Sequence, residues 1–562
     1  MVNRLKKIFG SNSRWLEKKQ TSLLSAAFVI VVANMGSSLF GLIRQRFLLS
    51  TFFGDRVSQL ALESLKVAFQ IPDTLYLLIV MGTVSSAFIP MFTAIRAKSE
   101  KEAFEITSSF MNLILLFFAF VAIIVFIFTK PLILMLTGHM FTSAQVQMAI
   151  NLTRLMLLAQ VFFTISNFLT GILQSYQHFI ISSLSPILYN IGIILGVIFF
   201  HENLGIYSAG LGAIIGAFFH MAVQLPLAWK LGFKFSLKIN IRHPELKKFF
   251  TMIPPKVLTL GVNSLYQKFG LVFFATSIGN LSLVMIDLAL KLITIPIRLS
   301  GVPIAQASLP FLSEKVGNID KFRQLVIQSL NQISFLALPT SILVLILRLP
   351  FVRLVFGTRN FPWESTVMTG KLVAIIAISI VAQAMTHLLT RAFYALKDTK
   401  TPFFITLVTV FLYFTISTVV VFYLKRSVLG LAFVLSLTSI VEAFMLIIFL
   451  DLKIHELLLN RSLLVAQGKM FLTSFMMAVF LYLPYKILDN HVFDTTRTIE
   501  LIGLTVTTAI IGILVYIYFA VLLDVKELKY VSKIFDKFGH WQKSLSKSSE
   551  VLLEGGTNRD EI

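Results

Sequence analysis

Residues 71–90 read IPDTLYLLIVMGTVSSAFIP, an apolar segment with a proline near each end and a glycine inside it. Residues 295–310 repeat this arrangement as IPIRLSGVPIAQASLP. The matching prolines are 224 (72 to 296) and 220 (90 to 310) residues apart, and Pro186 and Pro402 are 216 residues apart. These offsets indicate that the chain repeats itself in halves. Repeated halves with interrupted apolar segments are typical of membrane transporters.

Composition points to the membrane. Hydrophobic residues make up 56% of the 562 positions and charged residues 14%, whereas a soluble domain carries about 25% charged residues. The sequence therefore predicts an all-α polytopic membrane protein of about fourteen transmembrane helices, at about 20 residues per span. The predicted spans are 22–53, 64–95, 103–129, 145–173, 181–200, 206–229, 248–279, 281–312, 324–347, 365–394, 402–424, 428–450, 465–486 and 499–523.

The repeat predicts the domain organisation. Two pseudo-repeated six-helix lobes, 22–230 and 248–455, are expected on either side of a basic cytoplasmic linker, 231–247. Two C-terminal helices follow in 456–525. A basic arm, 1–21, precedes the first lobe, and a basic amphipathic helix with a tail, 526–562, ends the chain. The apolar segment 131–140 is too short to span and is expected at the membrane interface.

Lysine and arginine in the loops predict the orientation, because cytoplasmic loops are enriched in both. The arm, the linker and the tail are all basic, and an even number of spans puts all three in the cytoplasm. Both termini are therefore expected inside, and the arm should act as an uncleaved anchor. The loop with Arg348, Arg353 and Arg359 is an exception that faces outward.

The net charge of +22 fits the enrichment of lysine and arginine in cytoplasmic segments and an affinity for anionic lipid headgroups. Nucleic-acid binding is a poor interpretation, because the cations lie in loops between spans. The absence of cysteine excludes disulfides and thiol chemistry. No Walker loop, HExxH motif or pair of acids at catalytic spacing is present in the spans, so the sequence predicts neither an enzyme nor a cofactor.

Charged residues inside apolar spans are the candidate site, because a charge at the bilayer centre costs about 2.5–3.5 kcal/mol and usually faces a cavity. Cations outnumber acids, so we expect a cationic cavity lined by spans 1, 2, 7 and 8 that attracts an anion. Lys291 and Arg298 are seven residues apart and share a helix face, beside prolines 296, 303 and 310 that should kink the span. The candidate substrate-binding residues are Arg44, Glu63, Lys66, Lys256, Lys268, Lys291 and Arg298.

Simpler interpretations compete with binding. Arg46 is expected to extend toward an interface. Asp287 and Lys291, four residues apart, can pair within one helix, and Glu63 and Lys66 can do likewise. For Glu63 the functional hypothesis is that it holds Lys66 or Arg44 until a substrate phosphate competes for the cation; the alternative is a charge favoured near a helix start.

Five motifs in order resemble the bacterial lipid II flippases of peptidoglycan synthesis, the MurJ or MviN family, over roughly residues 22–455. They are Phe40–Arg44, then Val67–Pro72 with Gly82–Pro90, then Gly171–Tyr176 followed by Pro186 and Asn190, then Ile295–Pro296 with Gly301–Val302 and Leu309–Pro310, and Arg391–Pro402. The resemblance implies a fourteen-span, two-lobed transporter with a cationic central cavity. It also implies a substrate, lipid II, in which undecaprenyl pyrophosphate carries a disaccharide-pentapeptide.

The resemblance assigns roles residue by residue. Arg44 matches a functionally required family arginine, Glu63 stands in place of a required aspartate, and Lys291 in place of a required arginine. Three positions depart from the family pattern: Ser38 and Tyr76 replace arginine, and Gln45 replaces aspartate. The expected partners are lipid II and the bilayer of the bacterial cytoplasmic membrane, with cell-wall synthesis machinery as a further candidate.

Other functions stay open on the residues alone. A flippase for another polyprenyl-linked oligosaccharide would share the fold and the cationic cavity. A multidrug cation antiporter would need acids in that cavity, where cations dominate here. A membrane scaffold would leave the charges within the spans unexplained.

Overall fold

The computed structural model describes residues 23–81, 88–239, 261, 265–279, 281–495 and 497–528. Regular structure in these ranges is helical, without strands. Within them, nine helices are long and apolar enough to cross a membrane, and the pair Trp363–Ala377 and Ile380–Ala395, bent by 45°, forms a tenth. The predicted all-α polytopic class is confirmed.

The helices follow the predicted spans along the described chain. Half of span 7 lies outside the described residues. Turns of π-helix occupy Leu77–Met81, Leu265–Gly270 and Val419–Tyr423. The α-helices are α1 Leu23–Phe52, α2 Arg56–Tyr76, α3 Ile89–Arg96, α4 Glu100–Thr137, α5 Ser143–Ser175, α6 Phe179–Leu204, α7 Tyr207–Ala222, α8 Leu225–Lys230, α9 Leu271–Ile278, α10 Ser282–Glu314, α11 Ile319–Ile346, α12 Arg348–Phe356, α13 Trp363–Ala377, α14 Ile380–Ala395, α15 Lys400–Thr418, α16 Val428–Ile454, α17 Arg461–His491 and α18 Thr498–Leu522.

Helix α4 corrects one boundary. The sequence predicts that span 3 ends near residue 129 and that 131–140 is a separate segment, but α4 continues through Pro131 to Thr137. A proline removes only one backbone hydrogen bond, and apolar membrane helices tolerate it. The helix ends where Gly138 adopts a left-handed φ of 57° and the His139 N–H donates to Leu134 O at 3.3 Å.

Prolines lie inside continuous helices here. The predicted kink at residues 296, 303 and 310 does not interrupt α10, which runs through all three. A proline leaves the carbonyl four residues earlier without its N–H partner, and at two of these prolines another helix supplies a donor. Pro72 frees Ala68 O, which accepts the Thr153 hydroxyl at 3.4 Å, and Pro339 frees Phe335 O, which accepts the Tyr516 hydroxyl at 3.0 Å.

Helices α6 and α7 pack backbone against backbone. A methyl group added at Gly192 would lie 2.2 Å from Gly216 Cα, and one added at Gly196 would lie 2.4 Å from Gly212 Cα. Gly192 and Gly196 on α6 are four positions apart, as are Gly212 and Gly216 on α7, and small residues at this spacing let membrane helices approach closely. This contact therefore has no room for larger side chains.

One turn recurs 220 residues later, as the proline offsets predict. Gln177 (φ 64°) and Lys397 (φ 59°) are both left-handed residues just after a long helix. After each, the next N–H reaches back five residues: His178 N donates to Leu173 O and Asp398 N to Phe393 O, both at 2.9 Å. The same helix-ending motif at this offset supports an internal repeat.

The chain forms two compact units. The first consists of Met1–Leu292, Phe351–Ile376 and Phe403–Thr438, and the second of Ile293–Pro350, Ala377–Pro402 and Ser439–Ile562. The first has an aromatic core in which Phe88 contacts Phe110 and Phe168. In the second, Gly301 lies against Ala384, whose Cα would be 2.6 Å from an added methyl group. The predicted six-helix lobes stay a prediction.

Candidate functional site: a lysine pair around Gln45

Two lysines meet in the first unit. Lys66 Nζ lies 2.7 Å from Gln45 Oε1 and 2.8 Å from Asp287 Oδ2. Lys291 Nζ lies 2.9 Å from the same Gln45 oxygen and 2.7 Å from the same Asp287 oxygen. The four side chains therefore form a closed ring in which two ammonium groups alternate with two acceptor oxygens.

Three helices position this ring. Gln45 belongs to α1, Lys66 to α2, and both Asp287 and Lys291 to α10. Asp287 and Lys291 are neighbours because residues four apart lie on one helix face, so the interpretation of these two as an ion pair is confirmed. Lys66 joins this pair from another helix, which the sequence did not predict.

Gln45 is fully buried. Its Oε1 must face the lysines, because ammonium groups only donate hydrogen bonds and the amide Nε2 cannot accept them. Nε2 and the neighbouring Arg44 Nε are buried donors without a hydrogen-bond partner within the described structure. Arg44 carries its charge 5.9 Å from the centre of the Tyr189 ring and repels Lys291 electrostatically. Two lysines thus contact one acid, Asp287, and Arg44 adds a third positive charge that acts on Lys291.

Glu63 does not pair as expected. Its carboxylate is buried and accepts the Gln145 amide at 3.5 Å, while its Oε1 has no partner in the described ranges. The prediction that Glu63 holds Lys66 or Arg44 is therefore wrong for this conformation. Glu63 and Lys66 are three positions apart on α2, and their side chains face different helices. Glu63 faces α5, whereas Lys66 faces α1 and α10.

The remaining candidate cations are placed differently. Lys256 lies outside the described residues. Lys268 lies in the π-helical turn before α9 and, with Arg44, attracts Asp73 electrostatically. Arg298 is exposed, two turns beyond Lys291 on α10.

Two acids in the spans were missed or misjudged. Asp73 follows Pro72 in α2 and accepts the Gln160 amide at 3.2 Å. A carboxylate inside an apolar segment was the available signal for it. For Asp287, helical spacing predicts only Lys291 as a partner, yet one of its oxygens also contacts Lys66.

The side chain of Arg46 forms a hydrogen bond with a distant part of the chain. The sequence predicts that its side chain extends to an interface, but its Nη1 donates to Leu354 O at 2.6 Å. Close by in the chain, Asn360 Nδ2 donates to Ser50 O at 2.6 Å, and Phe53 contacts Phe361. These contacts fasten the end of α1 to the segment 354–361.

Comparison with solved structures shows the same fold in known transporters. A solved structure, "Lipid II flippase MurJ, inward closed conformation", has a TM-score of 0.71 and 21% identity over 88% of this chain and 98% of that one. An inward-facing multidrug resistance MATE transporter shares the fold, with a TM-score of 0.60 and 16% identity over 77% of this chain and 99% of that one.

Comparison of sequences identifies the family, which the shared fold alone does not. A protein of Buchnera aphidicola subsp. Schizaphis graminum (strain Sg), "Probable lipid II flippase MurJ", is 26% identical over 531 residues, which are 92% of this chain and all of that protein. The family model described as lipid II flippase MurJ matches residues 49–502. Because the match covers most of its length, the chain belongs to the lipid II flippase MurJ family.

Proposed function

We propose that this protein is a lipid II flippase. It moves the undecaprenyl-pyrophosphate-linked disaccharide-pentapeptide from the cytoplasmic to the outer leaflet of the bacterial cytoplasmic membrane by alternating access. The observation that carries the proposal is the convergence of Lys66 and Lys291 on Gln45 Oε1, at 2.7 and 2.9 Å. Two ammonium groups so close together offer paired charge-assisted hydrogen bonds, which suit a pyrophosphate.

The predicted residues divide into three roles. Arg44, Lys66 and Lys291 bind the pyrophosphate, with the unpaired Arg44 Nε as a further donor. Lys256, Lys268 and Arg298 raise the local concentration of the anionic headgroup, as clefts lined by one sign of charge do. Glu63, buried against Gln145, contributes to the conformational change. Lipid II and the bilayer are the partners of this mechanism, and cell-wall synthesis machinery is a further candidate.

The orientation is part of the proposal. The basic arm and tail favour a cytoplasmic position for both termini. Reporter fusions at the two ends should both report the cytoplasm. A periplasmic signal from either end would require a different number of spans.

Translocation in vesicles tests the function. Purified protein is reconstituted with lipid II, and transfer between leaflets is followed with and without an imposed membrane potential. We expect transfer by the native protein and none by the double variant Lys66→Ala/Lys291→Ala, whereas Glu364→Gln, an exposed acid on α13, should transfer normally. Movement of an O-antigen-type glycolipid but not lipid II would instead support the other polyprenyl-linked substrate, and full transfer by the double variant would refute the site.

A further inference from the structure

Glu63 is a buried acid that lies outside the ring around Gln45. It is 4% exposed, its Oε2 accepts the Gln145 amide at 3.5 Å, and its Oε1 has no partner among the described residues. The amide orientation is fixed, because Gln145 Oε1 accepts the backbone N–H and the hydroxyl of Thr142, both at 3.2 Å. The amide nitrogen therefore faces Glu63, which has a neutral partner there and no ion pair within the described ranges.

The cations on the helices packed against Glu63 point elsewhere. Helix α2 packs against α1, α4 and α5, and the cations of these four helices, apart from Arg56, are Arg44, Arg46, Lys66, Lys101, Lys130 and Arg154. Lys66 belongs to the ring, the two lysines of α4 are exposed, and the three arginines lie against other residues. Arg56, exposed at the start of α2 and seven residues earlier, attracts Glu63 electrostatically.

Asp73, ten residues further along α2, shows what Glu63 lacks. Asp73 also accepts one glutamine amide of α5, from Gln160 at 3.2 Å. In addition, Lys268 and Arg44 attract Asp73 electrostatically from two other elements, so its negative charge is balanced. Burial removes the water that stabilises a charge, and a buried carboxylate without a paired cation favours its neutral form. The same helix therefore carries one acid suited to stay ionised and one, Glu63, suited to hold a proton.

We propose that Glu63 is a proton-binding site that couples the transfer of lipid II to the movement of a proton across the membrane. This inference rests on the proposed function. Thr142, bonded to Gln145, is exposed at the start of α5, and the proposed orientation puts this end of α5 outside. The carboxylate takes one proton from the outer water and releases that proton to the cytoplasm after the conformational change, so each cycle carries one proton inward.

Lys66 connects Glu63 to the ring. It is three positions away on α2, and its Nζ lies 2.8 Å from Asp287 Oδ2 of α10. A neutral Glu63 leaves Lys66 to Asp287 and keeps the contact between α2 and α10. An ionised Glu63 attracts Lys66 and weakens that contact. Binding and release of the proton therefore shift the balance between two arrangements of these helices.

Infrared spectroscopy of the full chain in liposomes tests proton binding without a substrate. Raising the pH from about 6, where exposed acids are already ionised, should remove the carbonyl stretch of a protonated carboxylic acid. Glu63→Gln should lack this change, and Asp73→Asn, which removes the other acid of α2, should keep it. A native spectrum without the change, or a full change in Glu63→Gln, would overturn the proposal.

Transfer in vesicles tests the coupling. The protein is reconstituted in one orientation, and a pH gradient is imposed while potassium and valinomycin hold the membrane potential at zero. A gradient of about one pH unit is worth at most about tenfold in rate, and we expect lipid II transfer to differ about threefold or more between its two directions. Glu63→Gln should show no difference. Glu63→Asp, which keeps an acid, and Glu364→Gln, the exposed control, should respond as the native protein does.

The outcomes separate this inference from the proposed function. If the native protein transfers lipid II at a rate that ignores the gradient, the coupling is refuted and the flippase function stands. If no lipid II moves under any gradient or potential, the proposed function fails and the coupling fails with it, whatever the infrared spectrum shows. Glu63→Ala also removes the acid, carries the same expectations, and replaces Glu63→Gln if that variant is not recovered in folded form.

Discussion

Lys66 and Lys291 are 225 residues apart in the sequence, and both donate to the same oxygen of Gln45. Two ammonium groups at one acceptor repel each other, so the arrangement needs a compensating anion. Asp287 supplies one in the empty protein. In the proposed transport cycle, the pyrophosphate of the substrate becomes the compensating anion.

Single substitutions of the cations should strongly reduce lipid II transfer. Lys291→Ala leaves Lys66 neutralised by Asp287, so the lysine pair loses its net charge as well as one hydrogen-bond donor. We expect transfer to fall at least tenfold in Lys291→Ala and Arg44→Ala, measured in vesicles at equal protein content. Lys291→Arg should keep most of the activity, because arginine binds phosphates through a planar fork.

The matched control is Lys371→Ala, which removes an exposed cation from α13. It should transfer lipid II at the native rate. Native rates in both Lys291→Ala and Arg44→Ala would remove these two residues from the binding site.

The contact between α6 and α7 should not accept a methyl group. Gly192→Ala places a Cβ against the Gly216 backbone, and such overpacking costs about 1–3 kcal/mol. We expect a lower thermal unfolding midpoint in detergent. Gly468→Ala on α17, where nothing lies within 4 Å, should leave the midpoint unchanged or raise it, because alanine favours a helix by about 1 kcal/mol over glycine. Equal midpoints for the two variants would argue against this packing.

The hydrogen bond from Tyr516 to Phe335 O should matter only because residue 339 is proline. Tyr516→Phe leaves a buried carbonyl without a donor and should cost about 1–3 kcal/mol of unfolding free energy. In a Pro339→Ala background the restored N–H can donate to that carbonyl, so Tyr516→Phe should cost much less. A double-mutant cycle measures this difference, and an equal cost in both backgrounds would contradict it.

The turn before α15 should be sensitive to acid. Burial raises the pKa of Asp398, but hydrogen bonds from Lys453 and Thr401 outweigh it and hold the pKa at about 2, below the ordinary 3.8. The ionised form is therefore the stabilising one. Its contribution is complete above pH 5 and is lost as the pH falls from about 4 through 2.

Asp398→Asn provides the comparison for this turn. The native protein should unfold at a higher temperature than Asp398→Asn above pH 5, and the two midpoints should converge as the pH falls from about 4 through 2. A difference that grows as the pH falls would mean that the pKa is shifted in the other direction.

Local patterns predicted much of this protein. The apolar segments matched helices wherever both are described, because about 20 apolar residues in a bilayer must satisfy their backbone hydrogen bonds within a helix. The offset of the prolines anticipated the shared turn at Gln177 and Lys397. The Asp287–Lys291 pair followed from helical spacing alone.

The sequence by itself determined the membrane class, the helices and the cations within them, because hydrophobicity and helical periodicity act over a few turns. Only the tertiary structure decided which charges meet. Lys66 turned to Asp287 and Gln45 rather than to Glu63, although Glu63 is three residues away. A side chain's partner depends on which helix packs against its face, and no spacing within a single helix contains that information.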